Sequence, residues 1–190
     1  MKLSKLFPAI RQQDPAIRSN LEILLYQGFW AMFHHKIANR LYRWRLYFLS
    51  RAVSQHSRFL TGIEIHPGAT IGNGVFIDHG AGVVIGETCV IGNDVLIFHG
   101  VTLGGTGKVA DKRHPTVCDN VIVGAGATVL GDIKIGTGAK IGAGAMVLKD
   151  VPAGAVIVGE PGRDTKKEAS LRGEITELKA RLDALAKHNS

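Results

Sequence analysis

The chain is poor in the residues that staple or stiffen a fold. Its 190 residues include two cysteines, Cys89 and Cys118, six prolines and three methionines. Two cysteines cannot build a disulfide framework, so a small secreted scaffold is excluded and a reduced, cytoplasmic setting is expected. Aromatic residues make up only 6% of the chain, too few for a core of large rings. Long apolar runs are missing as well. The most hydrophobic stretch, residues 21–33, is interrupted by Glu22 and Gln27, and residues 1–8 lack the apolar core of a signal peptide. Neither membrane insertion nor secretion is expected. Acidic residues fall short of basic ones, 16 against 23, leaving a net charge of +7. That excess would suit nucleic acid if it were concentrated on one surface. Instead it is spread over residues 36–51 and 166–181, interleaved with apolar positions as on solvated helices. Nucleic acid is therefore not expected. A solvated face, or attraction for the phosphates of an anionic cofactor, fits better.

Glycine is abundant, at 24 residues, yet no G-X-Y period runs through the chain, which excludes collagen. Three segments are visible. Residues 1–60 read as a small helical domain. Asp14-Pro15 has the form of a helix start, with Asp as cap and Pro at the first position. Leu21, Leu24, Leu25 and Phe29 recur at helical spacing. Two or three helices are expected, closed by Leu60-Thr61-Gly62.

Residues 61–160 carry the strongest pattern. Aliphatic residues recur at every sixth position: Ile65, Ile71 and Ile77; then Ile85, Ile91, Ile97 and Leu103; then Val117, Val123, Val129, Ile135, Ile141 and Val147. Glycine often follows directly. Four positions after most of them comes a small or apolar residue, such as Val75, Cys89, Val95, Ala127 or Ala145. A period of six matches neither an amphipathic sheet nor an α-helix. It predicts a parallel β-helix whose short strands point each aliphatic side chain into a narrow shaft, out of water. The second run is shifted by two residues from the first, and the third begins fourteen residues after Leu103. Residues 104–116, GGTGKVADKRHPT, are therefore an excursion from the coil. With Lys108, Lys112, Arg113 and His114 they are either a functional loop or a solvated one. In residues 161–190, Leu171, Ile175, Leu178, Leu182 and Leu185 form a short heptad seam, which predicts a C-terminal helix. Such a tail would associate with its own copies around a threefold axis or lie back on the coil.

Eight histidines offer general bases near neutral pH. His79, in Ile77-Asp78-His79-Gly80, follows an inward aliphatic by two positions and so points out at a corner. Taken alone it reads as a surface residue. Val123-Gly-Ala-Gly-Ala and Ile141-Gly-Ala-Gly-Ala lie eighteen residues apart. If three hexapeptides make one turn, Ala125 and Ala143 stack on adjacent coils, about 4.8 Å apart. That ridge is either a demand of tight coils or a groove for a thin ligand arm, with Lys140 at its rim.

The motifs Asp14-Pro15-Ala16, Glu64-Ile65-His66-Pro67, Ile77-Asp78-His79, Gly86-Glu87-Thr88, GVTLGGTGK over residues 100–108 and Lys112-Arg113-His114-Pro115 resemble those of serine O-acetyltransferases. The likeness covers nearly the whole of residues 14–163. It implies a left-handed three-sided β-helix and transfer of acetyl from acetyl-CoA to the hydroxyl of L-serine, the first step of cysteine biosynthesis. Transfer would be direct, since nothing resembles an activated Ser or Cys nucleophile. The resemblance further implies that His79 is the general base and that the acid preceding Ile65 orients it. The family usually has Asp there and this chain has Glu64, otherwise a surface acid. Asp14 and Asp78 match the carboxylates that hold the serine ammonium. Arg113 and His114 match residues at its carboxylate, reached across a subunit boundary. Gly104, Gly105 and Thr106 would lie along acetyl-CoA near the thioester, and Ala125, Lys140 and Ala143 match further CoA positions. No metal is implied. L-cysteine is the family's feedback inhibitor. A homotrimer is expected because the helical segment is short, with a hexamer as the alternative. Family members that dock into O-acetylserine sulfhydrylase end in Ile, whereas this chain ends Asn189-Ser190, so that complex is not expected. Two other readings compete. One is an acetyltransferase for a sugar or homoserine hydroxyl, in which Asp14, Asp78 and Arg113 would lack a purpose. The other is a zinc enzyme of the carbonic-anhydrase type using His79, His99 and His114.

Overall fold

The structure, a computed structural model, describes residues 6–107, 111–159, 174–176 and 178–179. Lys108 and most of the expected C-terminal helix lie outside them. Within that segment, residues 174–176 and 178–179 are helical, with Ile175 and Leu178 exposed. Residues 1–159 form one compact unit and residues 160–190 another.

The helical part comprises α1 (Leu6–Gln13), one 3-10 turn (Glu22–Leu25), α2 (Gln27–Arg43) and α3 (Tyr47–Thr61). It ends where Gly62 takes a left-handed conformation and donates its N–H to the Arg58 carbonyl at 2.8 Å. Two expectations fail here. Asp14-Pro15 does not start a helix, because α1 stops at Gln13 and Asp14 instead accepts from the Ala16 N–H at 2.8 Å. The short carboxylate competes for local backbone donors and makes an Asx turn. Leu21, Leu24 and Leu25 do not form a buried face either. They are 74%, 40% and 82% exposed, while Ile23 between them is fully buried. A single 3-10 turn offers no continuous 3.6-residue face.

The coil is built from two- and three-residue strands. In chain order they are β1 (Glu64–Ile65), β2 (Thr70–Ile71), β3 (Phe76–Ile77), β4 (Val84–Ile85), β5 (Val90–Ile91), β6 (Leu96–Ile97) and β7 (Thr102–Gly104). Then come β8 (Thr116–Val117), β9 (Ile122–Val123), β10 (Thr128–Leu130), β11 (Lys134–Ile135), β12 (Lys140–Ile141), β13 (Met146–Val147) and β14 (Val156–Ile157). They pair in parallel as three sheets, in the orders β1-β4-β7-β10-β13, β2-β5-β8-β11 and β3-β6-β9-β12-β14. Nearly every third strand returns to the same sheet, so one coil visits all three. The register stacks the period-six residues directly: Ile65 on Ile85, Ile85 on Leu103, Leu103 on Val129, and Val129 on Val147. These residues, and their counterparts in the other two sheets through Ile141, are at most 7% exposed. The small residues four positions later, among them Val75, Cys89, Val95, Val121, Ala127 and Ala139, are equally buried and fill the corners.

The coil has three kinds of corner. The first sheet is entered from the third through residues 78–83, 98–101, 124–127 and 142–145. The second is entered from the first through residues 66–69, 86–89, 105–115 and 131–133. The third is entered from the second through corners that carry a polar ladder. There Asn93 Oδ1 accepts from the Asn73 N–H at 2.9 Å, and Asp119 Oδ1 accepts from the Asn93 N–H at 2.6 Å. The helical part packs on the lower coils. Gly28, at the start of α2, has no room for a side chain, since a Cβ there would stand 2.3 Å from the Ile77 carbonyl oxygen. This close approach covers Phe76, which is 2% exposed although it points away from the shaft.

Ile97 is fully buried on an interior strand of its sheet, between β3 and β9. Truncation of Ile97 to Ala should cost about 2–5 kcal/mol in urea unfolding, whereas Val158→Ala, at a position 77% exposed, should change stability little. Equal costs at the two positions would contradict the stacked-coil core.

Candidate active site

The first group of site residues gathers at the lowest corner between the third and first sheets. The loop after β3 has two residues more than the repeat requires, and His79 sits in the extra length. Its φ is +58°, a left-handed conformation that costs a non-glycine residue roughly 1–2 kcal/mol. Tight bonds hold it: the Gly80 N–H donates to the Asp78 carbonyl at 2.7 Å and the Ala81 N–H to the His79 carbonyl at 2.8 Å. The strained turn swings the imidazole outward, leaving its side chain 77% exposed. Its Nε2 lies 4.0 Å from Asp78 Oδ2, and its ring meets His99, one coil above, edge-on at 6.2 Å between centroids.

Asp14, Leu25, Tyr26, Gln27, Asp78 and His79 line one cavity of about 320 Å³. The Gly28–Ile77 approach creates it, by pressing the start of α2 against the His79 loop. Asp14 accepts a hydrogen bond from the Tyr26 hydroxyl as well as from Ala16. Those two bonds, Tyr26 first, hold its carboxyl below the ordinary carboxylate range, and the positive charge available on His79 adds to the effect. The same bond pushes the Tyr26 phenol up to about 12. Two carboxylates beside an exposed imidazole make a pocket suited to a small cationic group next to a base.

Glu64 is not held on His79. Its carboxylate pairs with Arg58 Nε at 3.3 Å and Arg51 Nη2 at 3.8 Å, both from α3. The longer glutamate arm reaches the helix packed against β1. The acid that His79 does meet is Asp78.

The second group lies at a different corner, between the first and second sheets. Arg113 pairs with Glu87, which also accepts from the Tyr42 hydroxyl at 2.9 Å. The arginine bond is the main reason that the Glu87 carboxyl lies below its ordinary value. His114 is 8% exposed. It fits between Gly86 and Gly105: a Cβ on Gly86 would stand 1.9 Å from its Cδ2, and one on Gly105 would stand 3.1 Å from its Nε2. Its Nδ1 faces Thr88. Burial first, then the neighbouring Arg113 and Lys112 charges, lower its pKa. Lys112 donates to the His114 carbonyl and lies 3.6 Å from Asp132. Gly104 and Thr106 border the same corner, the Gly104 carbonyl accepting from the Gly131 N–H at 3.1 Å. Thus the chain joins Asp14, Asp78 and His79 at one corner and Arg113 and His114 at another. His79, His99 and His114 do not converge within one chain, and no cluster able to hold a metal ion occurs among the described residues.

Ala125 and Ala143 stack on adjacent coils as their spacing predicts, the Gly144 N–H donating to the Ala125 carbonyl at 2.8 Å. They stand at the same kind of corner as His79. A column of left-handed glycines, Gly82, Gly100, Gly126 and Gly144, runs up that edge. Lys140 is exposed on the adjoining strand β12. Sequence reasoning gave no role to Tyr26, Tyr42, Glu87 or Thr88. Glu87-Thr88 lies within a recognisable motif, but nothing in the sequence marks Tyr26 or Tyr42.

A stacked hexapeptide coil with an exposed histidine and two acids at its corner defines an acyltransferase of the hexapeptide-repeat class. The family described as bacterial transferase hexapeptide, six repeats, matches residues 114–149. The chain is 61% identical over 152 residues to the serine acetyltransferase of Bacillus subtilis, covering 80% of this chain and 70% of that one. It is 54% identical to that of Helicobacter pylori, covering 88% of this chain and 99% of the relative. The structure of Neisseria gonorrhoeae serine acetyltransferase in complex with serine superposes with a TM-score of 0.80 at 41% identity, over 85% of this chain and 66% of that one. The chain belongs to the serine acetyltransferase family.

Tyr26→Phe removes the largest cause of the low Asp14 pKa. Its titration midpoint should rise toward the ordinary carboxylate value in a carboxyl NMR titration. A lowered carboxyl pKa stabilises the fold above the ordinary value and loses that effect as pH falls. The variant's stability deficit should therefore be present at neutral pH and shrink on acidification. An unmoved midpoint would show that Tyr26 does not set Asp14.

Proposed function

We propose that the chain transfers the acetyl group of acetyl-CoA to the hydroxyl of L-serine, giving O-acetyl-L-serine and CoA, in one ternary complex. The observation that carries the reading is the shared cavity of Asp14, Asp78 and His79. In this reading Asp14 and Asp78 bind the ammonium group of serine, which leaves its hydroxyl facing the imidazole. Neutral His79 takes the hydroxyl proton as the oxygen attacks the thioester carbonyl, and the proton then passes to the departing thiolate. Backbone N–H groups of the Gly104–Thr106 stretch stabilise the charge that develops on the carbonyl oxygen, an effect of about 3 kcal/mol per donor. Arg113, its edge fixed by Glu87, and His114 receive the serine carboxylate. Glu64 contributes through β1, on which the His79 loop rests, rather than through a bond to the base.

The second half of this site belongs to a neighbouring copy, because Arg113 and His114 stand at a different corner from His79. A homotrimer of left-handed coils, with the His79 corner of each subunit facing the Arg113 corner of the next, satisfies that requirement. The CoA arm then runs up the ridge of Ala125 and Ala143, with Lys140 near a phosphate. L-cysteine differs from serine only by sulfur for oxygen and would compete for the same clamp.

Release of CoA should require serine, should be absent with sugars and weak with homoserine, and should fall by roughly 10²–10⁴-fold in His79→Ala. Serine-dependent release retained in that variant would remove His79 as the base. Release with a sugar alone would remove serine as the acceptor.

A further inference from the structure

Thr88 lies at the centre of the Arg113–His114 corner, and its hydrogen bonds fix where the His114 proton can be. A threonine hydroxyl has two lone pairs and one proton. Thr88 Oγ1 accepts from the Arg113 N–H at 3.0 Å and from the His114 N–H at 3.2 Å. Both lone pairs are then used. The same oxygen lies 2.9 Å from His114 Nδ1, so that contact is the one the hydroxyl proton fills. The Thr88 backbone N–H also aims at Nδ1, at 3.3 Å. A proton on Nδ1 would confront two donors with no acceptor.

We infer that Thr88 is a positioning residue that locks His114 as a neutral imidazole with a bare Nδ1 and its single N–H on Nε2. Turned over, the ring would present its Cδ2 carbon in place of Nδ1 to the two Thr88 donors and lose both contacts. The charged and titratable groups around it favour the same state on balance. Arg113 and Lys112 on its own loop, and His66 two coils below, oppose a proton, while Glu87 favours one. The inference deepens the proposed function, since it rests on His114 as a ligand of serine. It makes the contact a directed N–H donor whose strength does not follow the titration of an ordinary histidine.

The test uses full-length protein labelled with ¹⁵N-histidine, followed by imidazole NMR from about pH 5 to 8, the range in which ordinary histidines titrate. His114→Gln assigns the resonance. In the native protein Nδ1 should keep a pyridine-type shift and Nε2 a pyrrole-type shift across neutral pH. In Thr88→Val the midpoint should move up toward the ordinary value and KM for serine should rise about 3–10-fold, more than kcat falls, as expected for one lost hydrogen bond. Thr88→Ser should restore both. An imidazolium, or a proton on Nδ1, at neutral pH in the native protein would overturn the lock, and that reading stands even if the valine variant does not fold. A bare Nδ1 combined with unchanged KM for serine in His114→Ala, which removes the N–H donor altogether, would support the lock while removing His114 from the serine site.

Discussion

The structure depends on one constraint: each turn of the coil must return an aliphatic side chain onto the one below. Parallel register partners lie eighteen residues apart where the repeat is regular, as with Val123 on Ile141. They lie twenty apart across the His79 loop, as with Ile77 on Ile97, and twenty-six apart across the long excursion, as with Leu103 on Val129. The stack is conserved in all three cases. Extra residues therefore cannot enter the shaft and must leave it at a corner. Both insertions into the period of six are where site residues lie, two extra residues at His79 and eight in the excursion that carries His114.

The two corners differ in the groups they offer. One carries the carboxylates of Asp14 and Asp78, and the other the Arg113 guanidinium, braced by Glu87, beside the His114 imidazole. A zwitterionic amino acid has the complementary pair of charges, but a single chain holds the two corners apart. The scaffold's regularity thus has a cost, because a rigid three-sided coil cannot fold its own corners together. In the proposed homotrimer a second copy closes the gap without bending the first. The helical part contributes to both corners: the tight seating of Gly28 on Ile77 brings Asp14 and Tyr26 to the His79 loop, and Tyr42 of α2 braces Glu87 beside Arg113.

Much of this was legible in the sequence, and the boundary is physical. Period six was sufficient for the sheets, their register and the buried residues, because it reports a local repeat that packing reinforces. The stacking of Ala125 on Ala143 followed from the same count. Asp14 was misread as a helix cap, since the residue types that cap a helix start also close the turn after one. Leu21, Leu24 and Leu25 mimicked a buried face that a single 3-10 turn cannot supply. Glu64 kept the charge of the family's usual acid, but its reach depended on Arg51 and Arg58, thirteen and six residues earlier on a packed helix. Tyr26 and Thr88 act through partners twelve and twenty-six residues away. No one-dimensional spacing announces those bonds.

The column of left-handed glycines at the His79 corner has a further consequence. Its rungs succeed one another at the spacing of parallel strands, so Ala143 stands three steps, roughly 14 Å, beyond the His79 loop. Above Phe98 and His99, the corners at residues 124–127 and 142–145 carry nothing larger than a methyl group. In the proposed reading that edge offers backbone for a thin carrier arm to lie against, over a length set by the number of coils.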